Sequence, residues 1–378
     1  MNIRNSPRLM SMPKLPDRIL LSIVIVFVVV GFLIFSSASL GLLARDGVPF
    51  TSVAANQFLF GIVGGSIVMF LASSIHYRTW RQYAFYFFVA TLILTLLVFV
   101  PGLGFEHAGA KRWIAIGGFS FQPAEFLKLG FVVYMATWLS GMKDHVGTFV
   151  QGTLPFLGIV GVVGVVMLLQ PDTDTYAIMV ASAMAMFLTA GGKIRDVVGI
   201  VLVGVCLILV LAFMRPYIMD RLTTFMDPSS DPLGSGYQIN QSLIAIGSGG
   251  AFGRGFGQSI QKFEYLPEPI GDSIFAVFAE EFGFMGGALL VLLFAAFTFR
   301  GFRIATHAPD LFGMLLVVGF VTIITLQAFL NMAAMVAVAP LSGLPLPFIS
   351  HGGTALMATL ASIGIVLNVS RYQKARPR

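Results

Sequence analysis

Long apolar runs alternate with short polar breaks along most of this chain, and runs such as Ile19–Leu43 and Gly199–Phe213 carry no charged residue. A helix needs roughly 20 apolar residues to cross a hydrocarbon core. On that basis the pattern predicts ten helices, near 19–43, 58–74, 83–101, 124–140, 154–170, 174–190, 197–214, 273–299, 311–335 and 353–369. The fifth and sixth are split only by the turn Gln170-Pro171-Asp172-Thr173. The one long break, 215–272, is too polar and too rich in glycine to span. Trp113–Phe121 alternates apolar residues with Gly and Ser and reads as an interfacial loop. The expected fold class is therefore an all-α membrane protein with about ten transmembrane helices. It has a tail over 1–18, one polytopic domain over 19–370 and a second tail over 371–378.

Composition agrees, at 57% hydrophobic and 11% charged residues, about half the charged fraction of a soluble domain. The excess of 23 basic over 17 acidic residues sits between apolar spans, so it points to membrane topology and not to nucleic acid. The lone Cys206 lies in an apolar run, which excludes a disulfide framework and a cysteine metal site. Arg4, Arg8, Lys14 and Arg18 precede a first run too long for a cleaved signal peptide, despite the small residues Ser36-Ser37-Ala38-Ser39. It reads as a retained signal anchor. With the N-terminus in the cytoplasm, inside segments hold 15 basic residues and outside segments 7. Basic residues favour the inside, so both termini are expected to be cytoplasmic and the 215–272 loop extracytoplasmic.

Ionisable groups in or near apolar spans mark pathways or sites. Glu125 and Lys128 are spaced i, i+3 just after the helix-start signal Pro123, so they can pair, either as a structural clamp or as part of a site. Asp172 suits a turn after proline and suits a site equally. Lys111 and Arg112 beside Trp113 can anchor the interface or grip a phosphate. In the long loop, glycines recur at 234, 236, 247, 249, 250, 253, 255 and 257, a density that permits unusual backbone angles and close approach. The loop ends in Lys262-Phe263-Glu264-Tyr265-Leu266-Pro267-Glu268 and then Asp272. Read at 100° per residue, Asp272, Ala276, Ala279, Gly283, Gly286 and Gly287 fall close to one line. That is a small-residue stripe where another helix can pack, with Asp272 at its head as N-cap, as a single base, or as both. Glu280 borders the stripe and Glu281 points away, so the two should have different neighbours.

Lys111, Arg112, Glu125, Lys128, Asp172, Lys262 and Asp272 thus all fall at the expected outer ends of helices. No nucleotide pool exists there, so a biosynthetic enzyme would need a substrate that carries its own activation, such as a lipid-linked pyrophosphate. The order of Ala110-Lys111-Arg112-Trp113-Ile114, Phe121-Gln122-Pro123-Ala124-Glu125-Phe126-Leu127-Lys128, Gln170-Pro171-Asp172, Tyr265-Leu266-Pro267-Glu268, Asp272, Glu280-Glu281-Phe282-Gly283 and Pro345–Gly353 resembles the SEDS family of peptidoglycan glycosyltransferases. The forms at Asp231–Gln238 and Gln261–Glu268 resemble the FtsW branch more than the RodA branch. Gly271, Ser273, Thr173, Asp174, Ala124 and His351 depart from the residues usual there.

The resemblance implies a ten-helix SEDS-type bundle with a long extracytoplasmic loop between helices seven and eight. It implies polymerisation of lipid II at the bacterial inner membrane, at the division septum, beside a class B penicillin-binding protein and other division proteins. Asp272 matches the family's catalytic aspartate. Lys111, Arg112, Glu125, Lys128, Asp172, Lys262 and Glu268 become candidates for binding substrate, with Arg112, Lys128 or Lys262 facing the leaving pyrophosphate. No cofactor is required. A divalent cation could share the pyrophosphate role, although the sequence shows no dedicated metal cage. A lipid II flippase and a non-catalytic division scaffold are the rival readings.

Overall fold

The computed structural model describes residues 15–46, 54–107, 110–116, 119–142, 145–214, 216–227 and 234–373. Helices coincide with all ten expected spans. They are α1 (Arg18–Asp46), α2 (Gly65–Ser74, led in by π-helical Gln57–Gly64), α3 (Tyr77–Leu96), α4 (Pro123–Gly141) and α5 (Leu154–Leu169). Then come α6 (Thr173–Thr189), α7 (Ile194–Met214), α11 (Ile274–Thr306), α12 (Leu311–Met335) and α13 (Gly353–Arg371). Among the described residues seven spans are long and apolar enough to cross a membrane, and Thr173–Thr189 is a shorter apolar helix.

Local signals set the helix starts. Proline opens α4, where its missing N–H is not needed. Asp172 caps α6 by accepting from the Thr175 amide at 3.4 Å, and Asp310 caps α12 by accepting from the Gly313 amide at 2.9 Å. The third span begins six residues earlier than the hydropathy pattern predicts, at Tyr77 instead of 83. His76 caps it by accepting from the Arg78 amide, and Asp310 holds Tyr77 and Arg78.

Burial ranks the helices. The apolar windows of α12 and α13 are 78% and 72% buried, whereas those of the first three spans are only 22–33% buried. Apolar side chains exposed on α1, α2, α3 and α7 are what lipid-facing helices present. The core is therefore built on α12 and α13 together with α4, most of whose residues are also buried.

The segment 102–123 corrects the loop expectation. It forms a three-stranded antiparallel sheet of β1 (Gly104–His107), β2 (Ala110–Ile116) and β3 (Phe119–Phe121). Ile114 faces Phe121 and Glu106 faces Lys111. The apolar–small alternation is the period-two pattern of a half-buried strand.

The long loop does not span, but it contains α8 (Pro216–Met226), α9 (Ser235–Ser248) and the short α10 (Gln261–Glu264). It closes on α11 at a break that the small-residue stripe does not reveal. Gly283 has φ 66° and ψ −167° inside α11, a conformation open essentially only to glycine. The break frees main-chain groups on both sides, and the loop takes them up. Arg254 N and Gly255 N donate to the Glu280 and Glu281 carbonyls at 3.0 and 2.9 Å, while Phe284 N and Met285 N donate to the Gly250 and Ala251 carbonyls at 2.8 and 3.1 Å. The angular line from Asp272 to Gly287 is therefore interrupted, and what presses on it at Gly283 is glycine-rich backbone, not another helix.

Two glycines make that approach possible. A Cβ on Gly253 would overlap the Glu281 carbonyl, and one on Gly283 would overlap the Gly253 amide; both have positive φ. Replacing either by Ala should destabilise the fold by about 1–3 kcal/mol. Gly247→Ala, which meets nothing within 4 Å, should be close to neutral. Thermal unfolding in detergent, followed by the loss of monodisperse protein, measures the contrast.

Candidate active site at the loop end of the bundle

Asp272 sits in the turn that leads into α11, two residues ahead of the first helical position. Ser273 occupies the N-cap and neither side chain caps the helix, so the N-cap expectation for Asp272 is not realised. The turn is held through its main chain. Asn331 Nδ2 donates to the Asp272 carbonyl at 2.7 Å and to the Leu344 carbonyl at 2.8 Å. Ser350 Oγ donates to the Gly271 carbonyl at 2.6 Å, and the His351 amide to the Ile270 carbonyl at 2.7 Å. These bonds fix the backbone and leave the carboxyl itself to other partners. It is half-buried, in contact with Gln238 Nε2 at 3.3 Å.

Burial pushes the Asp272 carboxyl up to about 7, the nearby Glu268 carboxylate adds to the rise, and the Gln238 hydrogen bond with the adjacent main-chain amides opposes it. Such a group changes charge near neutral pH, which suits a general base. Glu268 is exposed beside it, in a left-handed conformation with φ 46°. His351, also in this cluster, is held below its ordinary value by burial, and Glu268 partly offsets that.

One helical turn along α12 from Asn331, Gln327 accepts from Lys128 Nζ at 2.9 Å and donates to the Pro345 carbonyl at 2.8 Å. Lys128 in turn pairs with Glu125 at 2.8 Å, both buried. Beside this pair is a cavity of about 20 Å³ whose polar lining includes Thr359 and Ser362, room for a single water.

Arg112 extends from β2 to the turn between α5 and α6. It donates to the Gln170 carbonyl at 3.2 Å and to the Pro171 carbonyl, and lies 3.8 Å from Asp172. Asp172 is buried, and burial raises its carboxyl pKa while Arg112 opposes the rise. Its neighbour Asp174 takes Arg221 from α8 at 2.8 Å and the Gly343 amide at 3.1 Å. Lys111 stays exposed, 4.0 Å from its cross-strand partner Glu106, a spacing that contributes little.

The segment 341–352 thus bonds to residues that neighbour or hold several of the candidates. Its Gly343, Leu344, Pro345, Ser350 and His351 reach Asp174, Asn331, Gln327, Gly271 and Ile270 in turn. Lys262 is not part of that surface. Its ammonium is fully buried, donating to Glu281 at 2.7 Å, Ser37 at 2.9 Å and the Gly257 carbonyl at 2.9 Å, and an ammonium has three donors. Glu280 and Glu281 do have different neighbours. Glu280 accepts from Ser259 Oγ and the Ile260 and Gln261 amides beside Arg254, and Glu281 from Ser37, Lys262 and the Ser259 amide.

Gln238, Gln327, Asn331 and Ser350 carry much of this geometry without a role predicted from sequence. Gln327 and Asn331 did leave a signal, two amides four residues apart on an apolar helix, one above the other on one face. Among the described residues no three His, Cys, Asp or Glu side chains are grouped to hold a metal ion.

Ten helical spans that include the deeply buried α12 and α13, with a titratable carboxyl and basic groups at the end that carries the long loop, define a polytopic membrane protein with its candidate site residues at one face. The chain belongs to the FtsW/RodA/SpoVE family of cell cycle proteins, which it matches over residues 17–375. It is 40% identical to stage V sporulation protein E of Bacillus subtilis over 95% of this chain and 98% of that one. It is 39% identical to a probable peptidoglycan glycosyltransferase FtsW of Geobacter sp. strain M18, covering 94% and 96% of the two chains. A chain of a solved peptidoglycan synthase complex superposes with TM-score 0.77 at 30% identity over 95% of this chain and 99% of that one. The rod shape determining protein RodA of Thermus thermophilus gives TM-score 0.69 at 26% identity, covering 98% and 100%.

If the Lys262–Glu281 pair is structural, Lys262→Met should cost about 3–5 kcal/mol by leaving a carboxylate buried and uncompensated. Adding Glu281→Gln should restore a large part of that, as read by unfolding of the single and double variants. Asp272 should show the opposite behaviour. In the folded protein burial holds its pKa at about 7, above the ordinary carboxylate range, so folding binds the proton more tightly. Stability from this group is greatest below that ordinary range and falls as pH rises to the folded value. Asp272→Asn should therefore match the parent near pH 4 and unfold at a higher temperature above about pH 7.

Proposed function

We propose that this chain is a peptidoglycan glycosyltransferase that polymerises lipid II into glycan strands at the outer face of the inner membrane. We assign it to septal wall synthesis, alongside a class B penicillin-binding protein and other division proteins. The names of its FtsW relatives support the activity, and the likeness to a chain of a peptidoglycan synthase complex supports such a partner. The bias of basic residues towards the segments on the side of the termini supports the orientation.

One observation carries the catalytic reading: a half-buried carboxyl held near 7 on a rigid turn. Asp272 takes the proton from the acceptor GlcNAc C4 hydroxyl as that oxygen attacks the donor MurNAc C1. The C1–oxygen bond to undecaprenyl pyrophosphate breaks, the leaving group departs with its electron pair, and the anomeric centre inverts. Glu268 helps keep the Asp272 proton affinity high enough for that transfer. Of the basic candidates, Arg112 is the best placed to steady the departing pyrophosphate, since it is partly exposed and its planar fork suits phosphate oxygens. Lys111 is exposed nearby, Asp172 orients Arg112, and the Glu125–Lys128 pair holds Gln327, which in turn holds the Pro345 carbonyl.

Purified protein with its penicillin-binding partner and labelled lipid II should yield glycan polymer, with a rate that rises through about pH 7 as Asp272 ionises. Asp272→Asn should reduce the rate by about 100-fold or more. Polymer that persists in that variant would remove Asp272 as the base. No polymer from the parent, together with lipid translocation in vesicles, would favour the flippase.

A further inference from the structure

Asp272 and Ser273 are both touched by one side chain of the long loop. Gln238, near the start of α9, donates from Nε2 to Asp272 Oδ1 at 3.3 Å and to Ser273 Oγ at 2.9 Å. A side-chain amide has two N–H hydrogens, one for each acceptor. The helix that carries it is seated along its length. Ile239, Ser242 and Ala245 are buried, and Ser242 Oγ lies 3.5 Å from Met335 Sδ at the end of α12. At the other end Gly249 lets α9 close on the Ala279 carbonyl, where a Cβ would overlap it. Beyond that point the chain enters the Gly283 break. The reach of Gln238 is therefore set by the packing of α9 and of the chain that follows it.

Asn331 and Ser350 hold the carbonyls of residues 271 and 272, not the carboxyl. The amides of Asp272 and Ser273 face the carboxyl, but they belong to its own segment. Among the described residues Gln238 donates the hydrogen bond that reaches the carboxyl from another element. The charged group acting on Asp272 is Glu268 from the same turn, and His351, from the segment before α13, interacts with Glu268.

We propose that Gln238 is a positioning residue for Asp272, through which the long loop fixes the carboxyl rotamer and leaves the second oxygen to receive the acceptor proton. The proposal rests on Asp272 being the base. A hydrogen bond to the carboxylate favours its ionised form, so the seating of α9 also tunes the pH at which the base is ready. Movement of α9 away from α11 breaks the contact and leaves Asp272 protonated at neutral pH. The loop is thereby a lever on the reaction.

The test uses the full chain as parent, Gln238→Ala, Asp272→Asn and the double variant. Asn240→Ala, exposed on the same helix, is the control for disturbing α9. Polymerisation of labelled lipid II with the penicillin-binding partner is followed across pH, and thermal unfolding is followed across the same range. Gln238→Ala should move the acid limb of the rate upward by about one unit. That is a loss of about eightfold near pH 6.5 and under twofold near pH 9. The gap in unfolding temperature between Gln238→Ala and the double variant should keep widening above about pH 7, where the parent's gap to Asp272→Asn levels off. A Gln238→Ala profile that overlays the parent's after uniform scaling, with the unfolding gap levelling at the parent's pH, would overturn the proposal. If Asp272→Asn still polymerises, the base assignment fails, and the unfolding arm alone decides whether Gln238 acts on Asp272.

Discussion

A helix in hydrocarbon has no water to satisfy its main chain, so a break in it must be repaired by protein. The break at Gly283 in α11 is repaired by the backbone of residues 250–255, which supplies two donors and two acceptors. The placement of the long loop against α11 depends on that exchange. It seats the return limb of the long loop against α11 and brings Ser259 and Lys262 onto Glu280 and Glu281. It also fixes the far end of α9, whose near end touches Asp272. Glycine is required on both sides of the contact because two main chains meet with no space for a Cβ.

The second fixture is the pair of amides on α12. Gln327 and Asn331 both bond main-chain carbonyls of residues 344 and 345, and then divide. Asn331 holds the Asp272 turn and Gln327 holds Lys128. A side-chain amide both donates and accepts, so it can tie irregular backbone to a charged pair without adding a charge of its own. The most buried helix of the bundle thus positions two of the ionisable groups. Asp272 is the one placed where its ionised form is disfavoured, a cost in stability of the kind accepted at working sites.

The spans were legible because hydropathy is nearly all that a lipid-facing helix needs, and Lys/Arg placement gave an expected orientation. The sheet was not, because β2 and β3 are short and their Gly and Ser partners resemble a loop until the register joins Ile114 to Phe121. The glycine stripe on α11 was visible, but an angular reading assumes an unbroken helix, and the positive φ at Gly283 comes from contact with a distant segment. The same limit applies to Lys262. Its type and neighbourhood suggested a phosphate ligand, and only the long-range contact with Ser37 on α1 and Glu281 on α11 reveals a closed ion pair. Asp172 could be read both ways, and it is in fact the cap of α6 as well as the partner of Arg112.

The charges at this end therefore fall into two groups according to how far they are closed off from their surroundings. Lys262 and the two glutamates on α11 are buried with donors and acceptors matched, so they resist exchange with a ligand and hold the loop in place. Asp272, Glu268, Arg112 and Lys111 stay at least partly open to their surroundings. A transferase that binds a charged, bulky lipid-linked donor needs that second kind, since a side chain can stabilise a departing pyrophosphate only if it can turn its donors towards it. The first kind sets where the second can stand. By this criterion the proposed working surface runs from the Asp272 turn, along residues 341–352, to the Arg112 strand, and the buried ion cluster near Gly283 is its support.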